Sequence, residues 1–375
     1  MVERAYKLED YLKPNKAVII MGPRRVGKTT LVKEFLKTTT LKYKSVIGDE
    51  LSVQQALSAQ NIEPLKDFIG PNELLVIDEA QKIPNIGLNI KIIVDNLPGI
   101  CVLATGSSSF ELRGQIGEPL VGRKTTLLLY PFSQKELLPV VGTNYELIKK
   151  LPEYLVYGSY PEVITAEFVS ERIRLLQELL DSYLLKDILE LDKVKGAKIL
   201  LDLLRLLAFQ VGSEVSLSFL SREIGMNVKT IARYLDLFEK NYIIYNLRGF
   251  SRNLRSEINR KSRYYFLDNG VRNVVIGNFN SLDKRSDIGA LWENFLVTER
   301  LKKQAFSPVF ANNYFWRTWE QKEIDWVEER EGKLFGYEFK YSAKQKSKKA
   351  DEFLQTYKDS SLATITTENY LDFVV

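Results

Sequence analysis

The chain of 375 residues contains no histidine, one cysteine and three methionines. Without imidazole there is no histidine-built zinc site, no Ser-His-Asp or Cys-His triad and no histidine general base. The single Cys101 lies in the apolar run Ile100–Ala104 and is expected to be a buried, inert thiol. One cysteine makes neither an intrachain disulfide nor a cysteine-clustered metal site. Carboxylates, Lys, Arg, Ser/Thr and bound metal ions remain as the catalytic vocabulary. Long apolar runs are also scarce. The N-terminal stretch is charged, and the greasiest later stretch, Ile199–Phe209, is broken by Asp202 and Arg205. A soluble, cytoplasmic protein with no membrane partner is therefore expected.

What is present suits packed domains. With 27% charged and 45% hydrophobic residues, the length fits two to three globular domains. The net charge of +5 is unevenly spread. Residues 1–130 carry 17 basic and 14 acidic groups, 131–190 carry 6 and 10, 191–280 carry 15 and 8, and 281–375 carry 15 and 16. The basic excess sits in the third block.

Short apolar runs at Ala17–Met21, Ser45–Ile47, Leu74–Ile77, Ile100–Ala104 and Thr125–Leu129 alternate with amphipathic stretches, the first of them Thr29–Leu36. That rhythm predicts a parallel sheet with helical crossovers. After Pro131 the pattern is helical through Glu190, with a break at residues 158–161. Residues 191–280 read as helices followed by a two-stranded ribbon, and 285–375 as helix, three strands, helix, strand.

Gly22-Pro23-Arg24-Arg25-Val26-Gly27-Lys28-Thr29 fits G-x-x-x-x-G-K-[ST], directly after an apolar run and directly before a helical one that begins at Thr30. Glycines let backbone N–H groups curve around a phosphate, and the following helix offers its unpaired amides. Lys28 would reach the β/γ-phosphates, and the Thr29 hydroxyl would ligate Mg²⁺. Some fifty residues on, Leu74-Leu75-Val76-Ile77 ends in Asp78-Glu79. A buried parallel strand presents such acids at its C-terminal edge. Asp78 would hold Mg²⁺ through water, and Glu79 would polarise the attacking water. A third strand ends in Thr105-Gly106-Ser107, whose hydroxyls either sense a γ-phosphate or merely turn the chain. Arg123 is read either as a solvated surface group or as an arginine acting on the transition state in cis or from a neighbouring subunit.

With these motifs the chain resembles the AAA-type archaeal and bacterial ATPases that join a P-loop module to a winged helix and a C-terminal restriction-nuclease-like domain. The strongest local matches are Gly22–Thr30, Leu75–Gln81, Thr105–Ser108 and Gly158–Glu162. The resemblance implies an α/β fold in four parts. These are a P-loop NTPase parallel sheet of the ASCE/AAA type (1–130), a helical lid (131–190), a winged helix-turn-helix (191–280) and a restriction-endonuclease-like α/β domain (281–375). Gly158-Ser159-Tyr160-Pro161-Glu162 looks like the family's Gly-Gly-x-Pro-Glu signature, with Ser159 departing at the second glycine. By that likeness Tyr160 or Pro161 touches the adenine. ATP with Mg²⁺ is the implied cofactor, and self-association into a homo-oligomer is left open.

Leu217, Leu220 and Ile224 have helical spacing, Gly225-Met226 turns, and Asn227 caps a second helix with core face Val228, Ile231, Leu235 and Phe238. Lys229, Thr230, Arg233 and Tyr234 then fall on or near its open face. A ribbon, Tyr242–Leu247 and Tyr264–Leu267, is joined by a stretch bearing Arg252, Arg255, Arg260, Lys261 and Arg263. A recognition helix with a basic wing is a DNA-binding footprint, although such folds also dock proteins. Five phosphate contacts would give a salt slope near roughly −4.5.

Further on, Glu323–Val327 and Phe335–Lys340 read as two strands joined around Glu331-Gly332-Lys333. Period two places Glu338 and Lys340 on one face, with Asp325 beside them on the partner strand. This looks like the PD-(D/E)xK nuclease pattern, with Asp325, Glu338 and Glu293 as Mg²⁺ ligands and Lys340 as the lysine beside the attacking water. A charged hairpin face, or a nuclease fold that binds without cutting, is the competing reading. So is a nucleotide-gated switch that binds protein partners without nuclease activity.

Overall fold

The computed structural model describes residues 2–106, 120–181, 197–250, 262–307, 309–318, 322–342 and 350–375. The chain forms two compact units, one built from Arg4–Tyr130 with Lys240–Tyr242, the other from Pro131–Glu239 and Ile243–Val375.

In the first unit the order is β1 (Lys16–Met21), α1 (Lys28–Thr38), β2 (Tyr43–Ile47), α2 (Leu51–Leu57), α3 (Ile62–Ile69), β3 (Leu74–Asp78), α4 (Ile86–Asn96), β4 (Cys101–Gly106) and β5 (Lys124–Leu128). Every strand pairing is parallel, in the spatial order β2-β3-β4-β1-β5. The residues of β1, β3 and β4 are almost all buried, as expected when helices cover both faces of a parallel sheet. At the edge, β2 alternates instead, exposing Tyr43 and Ile47. Strand ends lie within two residues of those expected. The order of the strands matters more: β4 is inserted between β1 and β3, so three C-terminal strand ends meet at one crevice. Cys101 is buried, and burial first, then the charge of Glu73, pushes its thiol up.

The second unit opens with short helices: α5 (Gln134–Val141), α6 (Asn144–Lys149), α7 (Leu151–Tyr157), α8 (Pro161–Thr165) and α9 (Val169–Leu179). Ser133 and Glu136 form a reciprocal cap at the first of these. There follow α10 (Ala197–Phe209), β6 (Glu214–Val215), α11 (Leu217–Ile224), α12 (Val228–Lys240), β7 (Ile244–Gly249), β8 (Ser262–Phe266) and α13 (Asn269–Ile276). The C-terminal part contains α14 (Ile288–Phe306), β9 (Asn312–Arg317), β10 (Glu323–Arg330), β11 (Lys333–Phe339), α15 (Ala350–Thr356), β12 (Ser360–Ile365) and α16 (Tyr370–Val374).

One seven-stranded sheet, β12-β11-β10-β9-β7-β8-β6, runs through this unit. The ribbon expected as a wing is part of it, because β7 pairs with β9 at Arg248↔Tyr314 and Gly249↔Phe315. Phe250 extends the join: its N–H donates to the Phe315 carbonyl at 2.6 Å. Its ring packs among Trp316, Ile324, Val327, Leu334 and Phe353. Described residues on both sides of the divisions expected near 190 and 280 belong to this unit. Among the described residues, no helix is long and apolar enough to cross a membrane.

Candidate nucleotide-binding site

The loop after β1 is shaped by backbone that few residues tolerate. Gly22 has φ 149°, and a Cβ there would lie 2.1 Å from the Leu129 carbonyl oxygen, so only glycine fits beside β5. Arg25 and Gly27 take left-handed φ values of 59° and 89°, turning the chain into α1. Pro23 and Val26 are buried, Arg24 and Arg25 half-buried, and Thr30 faces solvent on the first turn of α1. Lys28 is buried under the loop, its Nζ donating to the carbonyls of Gly22 at 2.9 Å and Pro23 at 2.7 Å. Phosphate oxygens, being charged, are stronger acceptors for this ammonium than the two carbonyls.

The strand ends bring the other expected groups together. Thr29 Oγ1 donates to Asp78 Oδ2 at 2.9 Å. Thr105, fully buried on β4, donates its hydroxyl to Asp78 Oδ1 and accepts from the Glu79 N–H at 3.1 Å. Glu79 follows in left-handed backbone at φ 53°, which swings its carboxylate out of the strand's alternation. A hydroxyl and a carboxylate oxygen already adjacent are the donor set a hard cation accepts, so Thr29 and Asp78 fit Mg²⁺. Ser107 lies outside the described residues.

Three residues support the site: Gln81, the last residue of the Leu75–Gln81 match, and two that the motifs did not mark, Gly48 and Arg4. Gln81 donates its side-chain N–H to the Glu79 carboxylate. Gly48, after β2, leaves room that a Cβ would fill, 2.4 Å from the Glu79 carbonyl oxygen. Arg4 donates to the carbonyls of Val26 and, at 2.9 Å, Tyr130. Gly48 and Arg4 belong to no phosphate motif; glycine after a strand was the available signal for Gly48.

Arg123 is placed differently. It precedes β5 at the N-terminal edge of the sheet, where its carbonyl accepts from Ala17 N–H, and its guanidinium pairs with Asp95 at 2.5 Å. The loop is at the opposite edge, a strand length of roughly 16 Å away at about 3.3 Å per residue. The cis role is excluded, because both β1 and β5 run parallel away from Arg123.

Tyr160 and Pro161 lie in the second unit. The Tyr160 ring is buried, and Pro161 begins a helix. Within that unit the segment is anchored on Asp268. A Cβ on Gly158 would meet Asp268 Oδ1 at 1.9 Å, and Ser159 N–H donates to Asp268 Oδ2 at 2.7 Å. Ser159 stands at the second glycine position outside the left-handed region, and its hydroxyl accepts from Lys302 Nζ at 3.1 Å. That ammonium also donates to Glu299 at 2.6 Å and to the Phe132 carbonyl at 2.9 Å.

In the helix–turn–helix, Asn227 Oδ1 accepts from Thr230 N–H at 2.8 Å, capping α12. Ile231, Leu235 and Phe238 are buried. Lys229 and Arg233 are exposed. Two expectations change: Tyr234 is buried in the core face, and Val228, at the helix start, is 42% exposed. Arg252, Arg255, Arg260 and Lys261 lie outside the described residues.

Arg263 is no wing residue. It lies on β8, only 3% exposed, with NH2 2.8 Å from Glu323 Oε2 and NH1 3.6 Å from Glu293 Oε1 and 3.7 Å from Asp325 Oδ1. Glu293 Oε1 also accepts from Tyr265 OH at 2.7 Å, and Asp325 Oδ2 from Phe339 N–H at 2.8 Å. Burial first, then the neighbouring Asp325, pushes the Glu293 carboxyl well up. Glu338 is buried on β11, and Lys340 follows that strand with its backbone N–H on the Ile365 carbonyl at 2.9 Å. Glu331 and Gly332 form the tight turn between β10 and β11. Among the described residues, no group of three or more Cys, Asp or Glu side chains is gathered to hold a metal ion. The set Glu293, Asp325, Glu338 therefore does not fit Mg²⁺: a guanidinium, not an open cavity, faces two of its members.

A glycine-shaped loop ahead of a helix, on a parallel sheet whose neighbouring strands end in a hydroxyl and two acids, defines a P-loop module. Residues 14–138 match the family model of an AAA domain, AAA_14, so the first unit is an AAA-type P-loop domain. Residues 148–282 and 288–371 match models described as domains of unknown function, DUF8612 and DUF4143. An uncharacterized protein of Haemophilus influenzae is 25% identical over 392 residues, spanning 98% of this chain and 91% of its own. A signal transduction ATPase with a tetratricopeptide repeat sensor from Pyrococcus horikoshii aligns with 77% of this chain at 14% identity and TM-score 0.27, and this chain spans 43% of that structure. The ORC1 protein of Aeropyrum pernix, solved in complex with DNA, aligns with 70% of this chain and 87% of its own at 14% identity and TM-score 0.31.

Proposed function

We propose that the protein binds ATP with Mg²⁺ and hydrolyses it at the loop 22–30. The observation that carries this reading is the hydrogen-bonded set Thr29–Asp78–Thr105, which joins the loop, the acid strand and the strand between them. Lys28 exchanges two carbonyls for β/γ-phosphate oxygens. Thr29 and Asp78 would hold the magnesium, which would neutralise phosphate charge. Glu79 accepts a proton from the water that attacks the γ-phosphorus, the bond to the β-phosphate oxygen breaks, and ADP leaves. Thr105 registers whether the γ-phosphate is present.

The helix–turn–helix acts on DNA, with Lys229 and Arg233 one turn apart on the exposed face of its second helix. A second reading is favoured by one observation, the burial of Arg263 away from solvent. It is a nucleotide-gated switch that binds a protein partner and cleaves nothing. Nucleotide binding at millimolar ATP with Mg²⁺ tests the first reading, and its absence sinks the mechanism. An electrophoretic shift assay with and without ATP separates the two: DNA retarded in a nucleotide-dependent way supports the first, no retardation the second.

A further inference from the structure

We infer that Arg263 is the resident cation of the acid cluster in the seven-stranded sheet: its guanidinium takes the place a metal ion would need between Glu293, Asp325 and Glu323. The cluster then closes the sheet and hydrolyses nothing. This stands apart from the ATPase reading, since it uses no residue of the loop 22–30.

Arg263 reaches all three acids from one side chain, at 2.8 Å, 3.6 Å and 3.7 Å. A guanidinium is always charged and spreads five donors in a plane, so it can serve several carboxylates together. Its carbon lies 4.5 Å from the centroid of the Phe315 ring, which fixes the plane from one side. Glu293 and Asp325 have each also spent an oxygen on a protein donor, the Tyr265 hydroxyl and the Phe339 amide. Gly212 also packs against Glu293: a Cβ on that glycine would lie 2.7 Å from Oε1.

Magnesium demands about six oxygens at roughly 2.0–2.1 Å and keeps several waters. Entry here would set a divalent charge beside a buried, permanently protonated arginine and displace two built-in hydrogen bonds. The repulsion is greatest where water screens least. Removing the guanidinium reverses the balance, leaving one buried and two half-buried carboxylates that call for a cation.

The test is a titration of the full-length, nucleotide-free chain with Mn²⁺, following free Mn²⁺ by electron paramagnetic resonance. In the wild type, Asp325→Asn is expected to leave the number of bound Mn²⁺ unchanged. Arg263→Ala is expected to gain one site, lost again when combined with Asp325→Asn. Arg263→Lys keeps a cation in place and is expected to match the wild type. A wild-type site that Asp325→Asn removes overturns the inference, as does a folded Arg263→Ala protein that gains none. Should Arg263→Ala fail to fold, the wild-type and Arg263→Lys arms decide alone. Mg²⁺-dependent DNA cleavage that Asp325→Ala abolishes would also overturn it.

Discussion

The Thr29 hydroxyl donates to the Asp78 carboxylate at 2.9 Å across 49 positions of sequence. That contact sets the loop and the acid strand in one register before any ligand arrives. Both groups are of the type that coordinates magnesium, so binding requires little rearrangement.

Glu79→Gln retains ATP binding, because it removes a base and not a phosphate contact. Turnover falls about 10²–10⁴-fold, the usual worth of a positioned base. Radiolabelled phosphate release beside equilibrium nucleotide binding checks this. An unchanged rate shows that another group activates the water.

Gly158→Ala is expected to destabilise the second unit by about 2–4 kcal/mol, summing a left-handed penalty and overpacking. The added methyl would fall 1.9 Å from the Asp268 carboxylate, at a backbone φ of 72°. Thermal unfolding measures it; a Tm within a degree of wild type would show that the segment relaxes freely.

Asp287 gives the second unit part of its acid sensitivity. Burial alone would raise its carboxyl, but hydrogen bonds from Arg285 and Arg272 outweigh that and hold it at about 2. A folded value below the unfolded one of roughly 3.9 means stabilisation present above about pH 4 and lost as pH falls toward 2. Urea midpoints across that range should fall less steeply for Asp287→Asn than for wild type.

Lys229 and Arg233 are the exposed bases of the second helix among the described residues. If each meets one phosphate, Lys229→Ala with Arg233→Ala lowers the slope of log affinity against log salt by roughly 1.8 in magnitude. An unaltered slope would place DNA contact elsewhere.

By itself the sequence determined what depends on neighbours along the chain. Glycine spacing between a strand and a helix specifies a phosphate loop, and apolar runs that end in acids or hydroxyls specify buried parallel strands. Helical periods and caps located the helix–turn–helix. Tertiary structure alone decided what depends on which strands lie side by side. Strand β4 falls between β1 and β3, which makes Thr105 a partner of Asp78. Pairing of β7 with β9 absorbs the expected wing into a larger sheet and carries Arg263 into the acid cluster. An arginine's charge is visible in a sequence, but the choice between phosphate and carboxylate partners is not, because residues 30 to 62 positions away supply them.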